Sequence, residues 1–561
     1  MNPILILIII GIVLEGFLWW YVCRYNMHMF QLNTYRNGEM KPWLKQNWKR
    51  QSVLILQGLL VILGGLLRNP VLLVISYLLT GFSIYYFHFL KRYLKKKKLV
   101  FTMRVKRMLV TDSILSFGIP LLVAILCMVF LSQGVSAGGS LNGSAGGAAQ
   151  AGPAGALGFS ARLSLSFGIF LAVQALMTSL QARIIMLSNT INHPIEQGIN
   201  QHYINDAKRI LAENPDLTVI GITGSYGKTS VKFYLNTLLR DHFNVLMTPG
   251  NYNTPMGVVK TVRSSLKPTH EIFLCEMGAR HVGDIKEICD IAHPDLGVIT
   301  AIGPQHLDTF FNMDNIVKTK FELADALPEN GRIFLNMDND YIRKNSEKYR
   351  PEQIVGYSTG KSGYRAEDIR VSRQGTGFTF YTPDGESCRY QMRLIGAHNV
   401  INVVGALAVA HELGMTLEEL RVPVRRIQPV EHRMQMRENG LATIIDDAYN
   451  SNPVGSKAAV ETLKLFDGVR ILVTPGMIEL GDRQEEFNYM FGGYAADCCD
   501  YILTVGHANR EAIRKGALDA GFPEKKLLSF TLLEEAMKFA YQIKDRGHKY
   551  ILLENDLPDQ Y

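Results

Sequence analysis

At 561 residues the chain has room for three or four domains. Its net charge of +8 is concentrated in a few loops between apolar runs, which points to anionic lipid and away from nucleic acid. Its seven cysteines form no C-x-x-C pair, which excludes a structural zinc site and a disulfide framework.

The first third reads as a membrane region, 1–190. Five apolar runs follow one another at 4–22, 53–67, 71–90, 109–131 and 163–187. A helix needs about 20 apolar residues to cross the hydrocarbon core. The second run falls short of that, and the fifth carries Ser166, Gln174 and Thr178, with Arg183 near its end. The first run lacks a basic segment before it and a small-residue cleavage site after it, so it reads as an anchor and not a signal peptide. Glu15 lies inside this run and is a functional-site candidate, the alternative being a protonated or helix-paired glutamate.

Basic residues orient these runs. Arg24, Arg36, Lys41, Lys45, Lys49 and Arg50 separate the first from the second; Lys91, Arg92, Lys95 to Lys98, Arg104, Lys106 and Arg107 separate the third from the fourth. The other two connections hold only Arg68 and Arg162. Positive loops stay inside, so the expectation is an outside N-terminus and a cytoplasmic chain after about residue 188 of a multi-pass plasma-membrane protein. The Gly/Ala/Ser-rich stretch 134–158 is expected to be a flexible loop on the far side. Few polar residues interrupt the apolar runs, which argues against a transporter.

From about residue 200 the pattern alternates strand and helix, as in α/β folds. The segment Thr218 to Ile222 predicts a strand and Val231 to Leu239 a helix. Between them runs Thr223-Gly224-Ser225-Tyr226-Gly227-Lys228-Thr229, followed by Ser230. Strand, glycine-rich turn and helix start form a phosphate cradle, in which the lysine reaches phosphate and the Thr229 hydroxyl reaches Mg²⁺. The alternative is an ordinary glycine turn before a helix. Residues Gly250 to Pro255 form a loop, which contains Asn251, Asn253 and Thr254. Glu276 ends a predicted buried strand beside the phosphate loop, a natural place for a magnesium ligand. His306 follows the next strand, and a helix carrying Lys318, Lys320 and Glu322 comes after it. Residues 365–395 read as an antiparallel excursion, and Asn399 and Asn402 share one face of the helix that follows. These elements make a domain over 200–428. A second parallel α/β unit, 429–561, has strands at 442–445, 470–474, 501–505 and 550–553, the first ending at Asp446-Asp447.

Nine blocks in register resemble the Mur ligases, most nearly the MurF type, over roughly 200–550. They are TGSYGKT (223–229), GNYNTP (250–255), EMG (276–278), HLD (306–308), KTKFEL (318–323), GAHNVIN (396–402), HRM (432–434), DDAYNSNP (446–453) and GMIELG (476–481). After the helical membrane bundle read from the apolar runs, the resemblance implies an α/β P-loop central domain and a Rossmann-like C-terminal domain. It implies an ATP- and Mg²⁺-dependent amide ligase of peptidoglycan or related envelope synthesis, acting through an acyl phosphate. Lys228, Lys320, His306 and Arg433 would be catalytic, and Thr223 to Ser230 would hold the phosphates. Thr229 and Glu276 would bind one Mg²⁺, and His306 and carbamylated Lys320 a second, since a carbamate supplies the anionic oxygen that an ammonium cannot. Asn399 and Asn402 would contact adenine, and Arg433 and Asp447 would complete the ATP site when the C-terminal domain closes. Asn251, Asn253, Thr254, Asn450 and Asn452 would face the substrates.

Two departures stand out. Family members begin with a soluble domain that binds a UDP-sugar, whereas here a short lead-in joins the apolar runs to the phosphate loop. A lipid-linked acceptor is therefore the expectation. The MurF-type ending V-K-G-S is replaced by Leu553-Glu554-Asn555-Asp556, so D-alanyl-D-alanine is not assured as the amine. A ligase of the folylpolyglutamate or cyanophycin type is the alternative enzyme, and a non-catalytic membrane-tethered ATP-binding scaffold the alternative of another class. The DDAYNSNP and GMIELG blocks disfavour the first, and the retained Thr229, Glu276, His306 and Lys320 the second.

Overall fold

A computed structural model describes residues 3–93, 98–137, 159–360, 363–440, 442–449 and 451–556. Most of the expected loop 134–158, Lys95 to Lys97 and Asn450 lie outside the described residues. Contacts divide the chain into two units, one ending at Ile199 and one beginning at Asn200.

The first unit is helical: α1 Pro3–Leu32, α2 Asn37–Gln46, α3 Trp48–Leu67, α4 Pro70–Tyr93, α5 Met103–Ser113, α6 Ile119–Ala137, α7 Phe159–Ser179 and the first part of α8 Gln181–Ala212, whose residues from Asn200 belong to the second unit. Among the described residues four helical stretches are long and apolar enough to cross a membrane: Pro3–Leu32, Pro70–Phe89, Met103–Phe130 and Ala161–Ser179; Ser52–Leu67 is shorter. Leu56, Leu59, Leu63 and Leu66 face outward from α3, and Leu121, Leu122, Ile125, Leu126 and Phe130 from α6. Apolar exposure on that scale suits hydrocarbon better than water. Ile114–Gly118 is a π-helical turn just before Pro120, which lacks the N–H that a continuous helix needs. The expected fifth run, 163–187, is not one helix. It breaks at Leu180, where the hydroxyls of Thr178 and Ser179 bond the carbonyls of Gln174 and Ala175 (3.1 and 2.8 Å), a back-bonding that bends helices.

The second unit holds two sheets. The first has nine strands: β1 Thr218–Thr223, β2 Val245–Met247, β3 Ile272–Glu276, β4 Leu296–Ile299, β5 Arg332–Asn336, β6 Ile354–Ser358, β7 Tyr364–Ser372, β8 Gly375–Tyr381 and β9 Ser387–Met392. They lie in the order β2-β3-β1-β4-β5-β6-β7-β8-β9, parallel as far as β7 and antiparallel from β7 to β9. Strands such as Ile272-Phe273-Leu274-Cys275 are apolar throughout because helices cover both faces. The second sheet holds β10 Gln435–Glu438, β11 Ala442–Asp447, β12 Val469–Thr474, β13 Tyr501–Val505, β14 Leu527–Phe530 and β15 Lys549–Glu554, in the order β10-β11-β15-β12-β13-β14. The expectation of a purely parallel unit is corrected at its edge, where β10 runs antiparallel to β11. The polar sequence Gln435-Met436-Arg437-Glu438 gave no strand signal.

Candidate active site

Three adjacent strands deliver the site. The glycine-rich loop leaves the end of β1, Glu276 ends β3, and the segment leading to His306 leaves β4, its neighbour on the other side. Ligands of open parallel sheets gather at such carboxyl ends. The helix after the loop, α9, spans Lys228–Leu239 and starts three residues earlier than expected, because Gly227 at φ 81° turns the chain directly into it. A Cβ on Gly224 would lie 2.2 Å from Thr300 Oγ1, and one on Gly227 2.6 Å from Asn402 Oδ1. Only glycine keeps the backbone N–H groups open at the head of α9.

The expected metal ligands separate into two groups. Thr229 donates to Glu276 Oε1 (2.9 Å), which also accepts from Asn253 Nδ2 (3.1 Å). On its other oxygen Glu276 pairs with Lys232 Nζ at 2.9 Å, both side chains fully buried. Lys232 was not singled out from the sequence, and it also donates to Gly250 O (2.6 Å). His306 is bonded not to Glu276 but to Glu479, from the second sheet's GMIELG block. Lys320 is 1% exposed, and no hydrogen bond or ion pair among the described residues holds its amine; the Phe310 ring lies 6.0 Å away. Burial, reinforced by the charge of Lys228, pushes the Lys320 pKa well below the usual lysine range. Among the described residues no three His, Cys, Asp or Glu side chains converge on one metal position.

Lys228 folds back on its own loop, donating to Gly224 O (2.6 Å) and Ser225 O (3.2 Å). Burial, with Glu276 opposing and Arg433 assisting, lowers its pKa to about 8. The free enzyme is therefore charged at this lysine below about pH 8 and neutral above it. With a phosphate substrate, kcat/KM for ATP is expected to hold steady on the acid side and fall as pH rises through about 8, read from a pH profile under limiting ATP.

The remaining predicted residues fall into place unequally. Asn402 lies against Gly227, and Asn399 Oδ1 accepts from Tyr234 on α9 (3.2 Å), so both sit beside the loop. Arg433 stacks on Tyr449 (4.7 Å to the ring), and Tyr449 accepts from Asn251 (2.9 Å). Asp447 accepts from Met434 N (3.2 Å), and burial raises its pKa to about 6 with Arg433 opposing. Thr254 and Asn452 serve as helix N-caps, accepting from Gly257 N (3.3 Å) and Gly455 N (2.8 Å). Thr223 and Ser225 are buried in bonds to Met277 O and Gly303 O (both 3.0 Å), and Tyr226 donates to Pro304 O (2.8 Å). Ser230 lies in the first turn of α9. These hydroxyls shape the loop from behind.

Sequence reasoning overlooked the clasp between the two sheets. Glu479 holds His306 on one oxygen and Arg280 on the other (3.0 Å), while its carbonyl accepts from Leu307 N (2.9 Å). Its backbone sits in the left-handed region at φ 61°, a cost that its three partners offset. Burial would raise its pKa, but the His306 bond and Arg280 together bring it down to about 2. A carboxylate that orients a histidine is worth about 10- to 100-fold in related settings. Glu479→Gln is expected to lower kcat by about that factor, with ATP affinity retained in equilibrium binding.

A glycine-rich loop between a central parallel strand and a helix N-terminus, in a chain that adds a second α/β sheet, has the geometry of a phosphate-binding fold. Comparison with known proteins narrows the class. The Mur ligase middle domain model matches residues 222–410, and the Mur ligase glutamate ligase domain model matches 432–553. The chain is 30% identical over 351 residues to the UDP-N-acetylmuramoyl-tripeptide--D-alanyl-D-alanine ligase of Escherichia coli, covering 60% of this chain and 77% of that one. Its identity to the Bacillus subtilis enzyme of that name is 31% over 333 residues, covering 57% and 71%. MurF from Acinetobacter baumannii superposes with a TM-score of 0.59 at 28% identity, over 64% of this chain and 77% of that one. MurF ligase from Thermotoga maritima in complex with ADP gives 0.58 at 25%, over 64% and 81%. The chain belongs to the Mur ligase family and is an ATP-dependent peptide ligase of that type.

Proposed function

We propose that this protein is a membrane-held ligase that joins an amine to the free carboxylate of a peptide-bearing cell-wall precursor. The carboxylate oxygen attacks the γ-phosphorus of ATP and ADP leaves. The amine then attacks the acyl carbon, the carbon–oxygen bond to phosphate breaks, and the amine gives up a proton. The loop amides and Lys228 hold the phosphates through both steps, Asn399 and Asn402 flank the adenine, and Arg433 and Asp447 close the site from the second lobe. Asn251, Asn253 and Asn452 lie on the substrate side.

Two Mg²⁺ ions, one at Thr229 and Glu276 and one at His306 and carbamylated Lys320, would neutralise phosphate charge. The residues suit them. Thr229 and Glu276 present adjacent hard oxygens. Burial disfavours the charged form of Lys320 and so favours the nucleophilic amine that carbon dioxide requires. The single observation that carries the reading is the Thr229–Glu276 pair set directly under a loop whose glycines admit no side chain.

The basic loops and the four long apolar helices support a catalytic half on the cytoplasmic face and an acceptor presented at the membrane surface, where a polyprenyl-linked precursor resides. Assay of UDP-linked against polyprenyl-linked peptide acceptors tests this. Turnover of the lipid-linked acceptor supports it, and turnover of the soluble one alone would sink it. On the amine side, Glu554 stands where the MurF-type ending places lysine. It accepts from Thr474 (3.0 Å) and Ser451, and burial raises its pKa to about 8.

A further inference from the structure

The helical unit treats its two interior carboxylates differently. Asp112 on α5 is enclosed by donors: Trp19 Nε1 (3.2 Å), Cys23 Sγ (3.4 Å) and Gln181 Nε2, which reaches both oxygens (2.8 and 2.7 Å). Glu15 lies one helical turn before Trp19 on α1 and is 1% exposed. Gln57 of α3 donates to its Oε1 and to Thr80 Oγ1 of α4 (2.8 Å), and Thr80 approaches the same carboxylate oxygen at 3.4 Å. Among the described residues Glu15 Oε2 has no partner. Gln174 of α7 is also 1% exposed, and among the described residues neither its amide oxygen nor its amide nitrogen is bonded. It lies beside α1 at the level of Glu15, since a Cβ on Gly16 would be 3.9 Å from its Nε2. Four helices thus bring a half-satisfied carboxylate, a hydroxyl and a free amide to one level, about 18 Å along α1 from Pro3 and so near the middle of a bilayer-spanning segment. Each polar group left bare in such surroundings costs several kcal/mol. Among the described residues no arginine, lysine or histidine bonds Glu15.

The size of the missing partner is limited. A Cβ on Gly168 of α7 would lie 2.8 Å from Gly65 O of α3, and one on Gly58 2.0 Å from Ser179 Oγ. These crossings hold α3 closely against α7, beside Gln57 and on either side of Gln174, a setting that suits an ion better than an organic molecule. One carboxylate with neutral oxygens balances a single positive charge, and no convergence of acids suggests a divalent metal.

We propose that Glu15, Thr80 and Gln174 form an intramembrane binding site for a sodium-sized monovalent cation, separate from the ligase site. The ion would take Glu15 Oε2 and the Gln174 amide oxygen as ligands, with Gln57 holding the carboxylate in place. It would join α1, α3, α4 and α7 and make the helical unit's stability depend on sodium.

The experiment uses the full chain in detergent micelles and dicyclohexylcarbodiimide, an apolar reagent that couples to protonated carboxyls. Modification of the Glu15 peptide is followed by mass spectrometry in sodium chloride, potassium chloride and choline chloride of equal strength. Sodium is expected to slow modification progressively, by about tenfold at a concentration ten times its dissociation constant. Choline should have no effect, and Gln174→Leu should abolish the protection. The thermal unfolding midpoint of the wild-type chain in the same salts gives a second readout, expected to rise with sodium and not with choline. Equal modification in sodium and choline would show a site for a proton or water only, and protection that survives Gln174→Leu would place the ion away from Gln174; either result overturns the proposal. If the peptide resists the reagent in every salt, an unfolding midpoint indifferent to sodium overturns it equally.

Discussion

Lys228→Ala is expected to cut ATP-dependent phosphate release by about a thousandfold, the range seen when a positioned charge on a transferring phosphoryl group is removed. The effect belongs to the chemistry and not to the fold. Among the described residues the ammonium of the free protein bonds only Gly224 O and Ser225 O of its own loop, and α9, capped by Gly227, has no side-chain cap. The variant should therefore unfold within a few degrees of the parent. Lys228→Arg should rescue little, since a planar guanidinium cannot take the place of a compact ammonium within a turn four residues across. Activity of Lys228→Ala within tenfold of the parent would remove the loop from the mechanism.

The second large effect is expected at Lys320. Its amine is buried, held by no partner among the described residues, and driven toward neutrality by burial and by Lys228. A lysine with only a structural role there would cost stability and return nothing. Lys320→Met preserves most of the volume and removes the amine. It should reduce kcat by about a hundredfold or more if the lysine carries a metal ligand, with the unfolding midpoint unchanged or raised, because the desolvated amine is gone. Small carboxylates such as formate or acetate added to Lys320→Ala should restore part of the activity by supplying the missing oxygens. Unimpaired turnover of either variant, or full absence of rescue alongside parent activity that is indifferent to removal of bicarbonate, would refute the carbamate.

Much of the site could be read in the residues because its parts are local. The run from Thr223 to Thr229 carries its own glycines, and those at Gly224 and Gly227 occupy positive φ. Glu276 could be placed because a buried apolar strand leads straight to it. Contacts made across long separations could not. Glu479 is 173 residues from His306, and Lys232 reaches Glu276 across a turn of α9 that carries no distinguishing pattern. Asn452 and Thr254, chosen as substrate-facing, are polar residues before Pro-initiated helices. That position is equally a capping signal, and their side-chain oxygens are taken by backbone N–H groups. In the helical half, hydropathy found the apolar stretches but not the break at Leu180. Hydroxyls that compete for helix carbonyls leave no trace in an average over apolar residues. The polar centre at Glu15 was visible only as one acid in an apolar run. Its partners Gln57, Thr80 and Gln174 come from three other helices.

One measurement bears most directly on the ligase chemistry. The acceptor's carboxylate is prepared with a heavy-oxygen isotope, the full reaction is run with ATP and the amine, and the released phosphate is analysed by mass spectrometry. Attack of that carboxylate on the γ-phosphorus leaves one heavy oxygen in each phosphate formed, and this is the result expected here. Phosphate carrying no label, with product amide still formed, would contradict the acyl phosphate and with it the roles given to Lys228, Glu276 and Lys320.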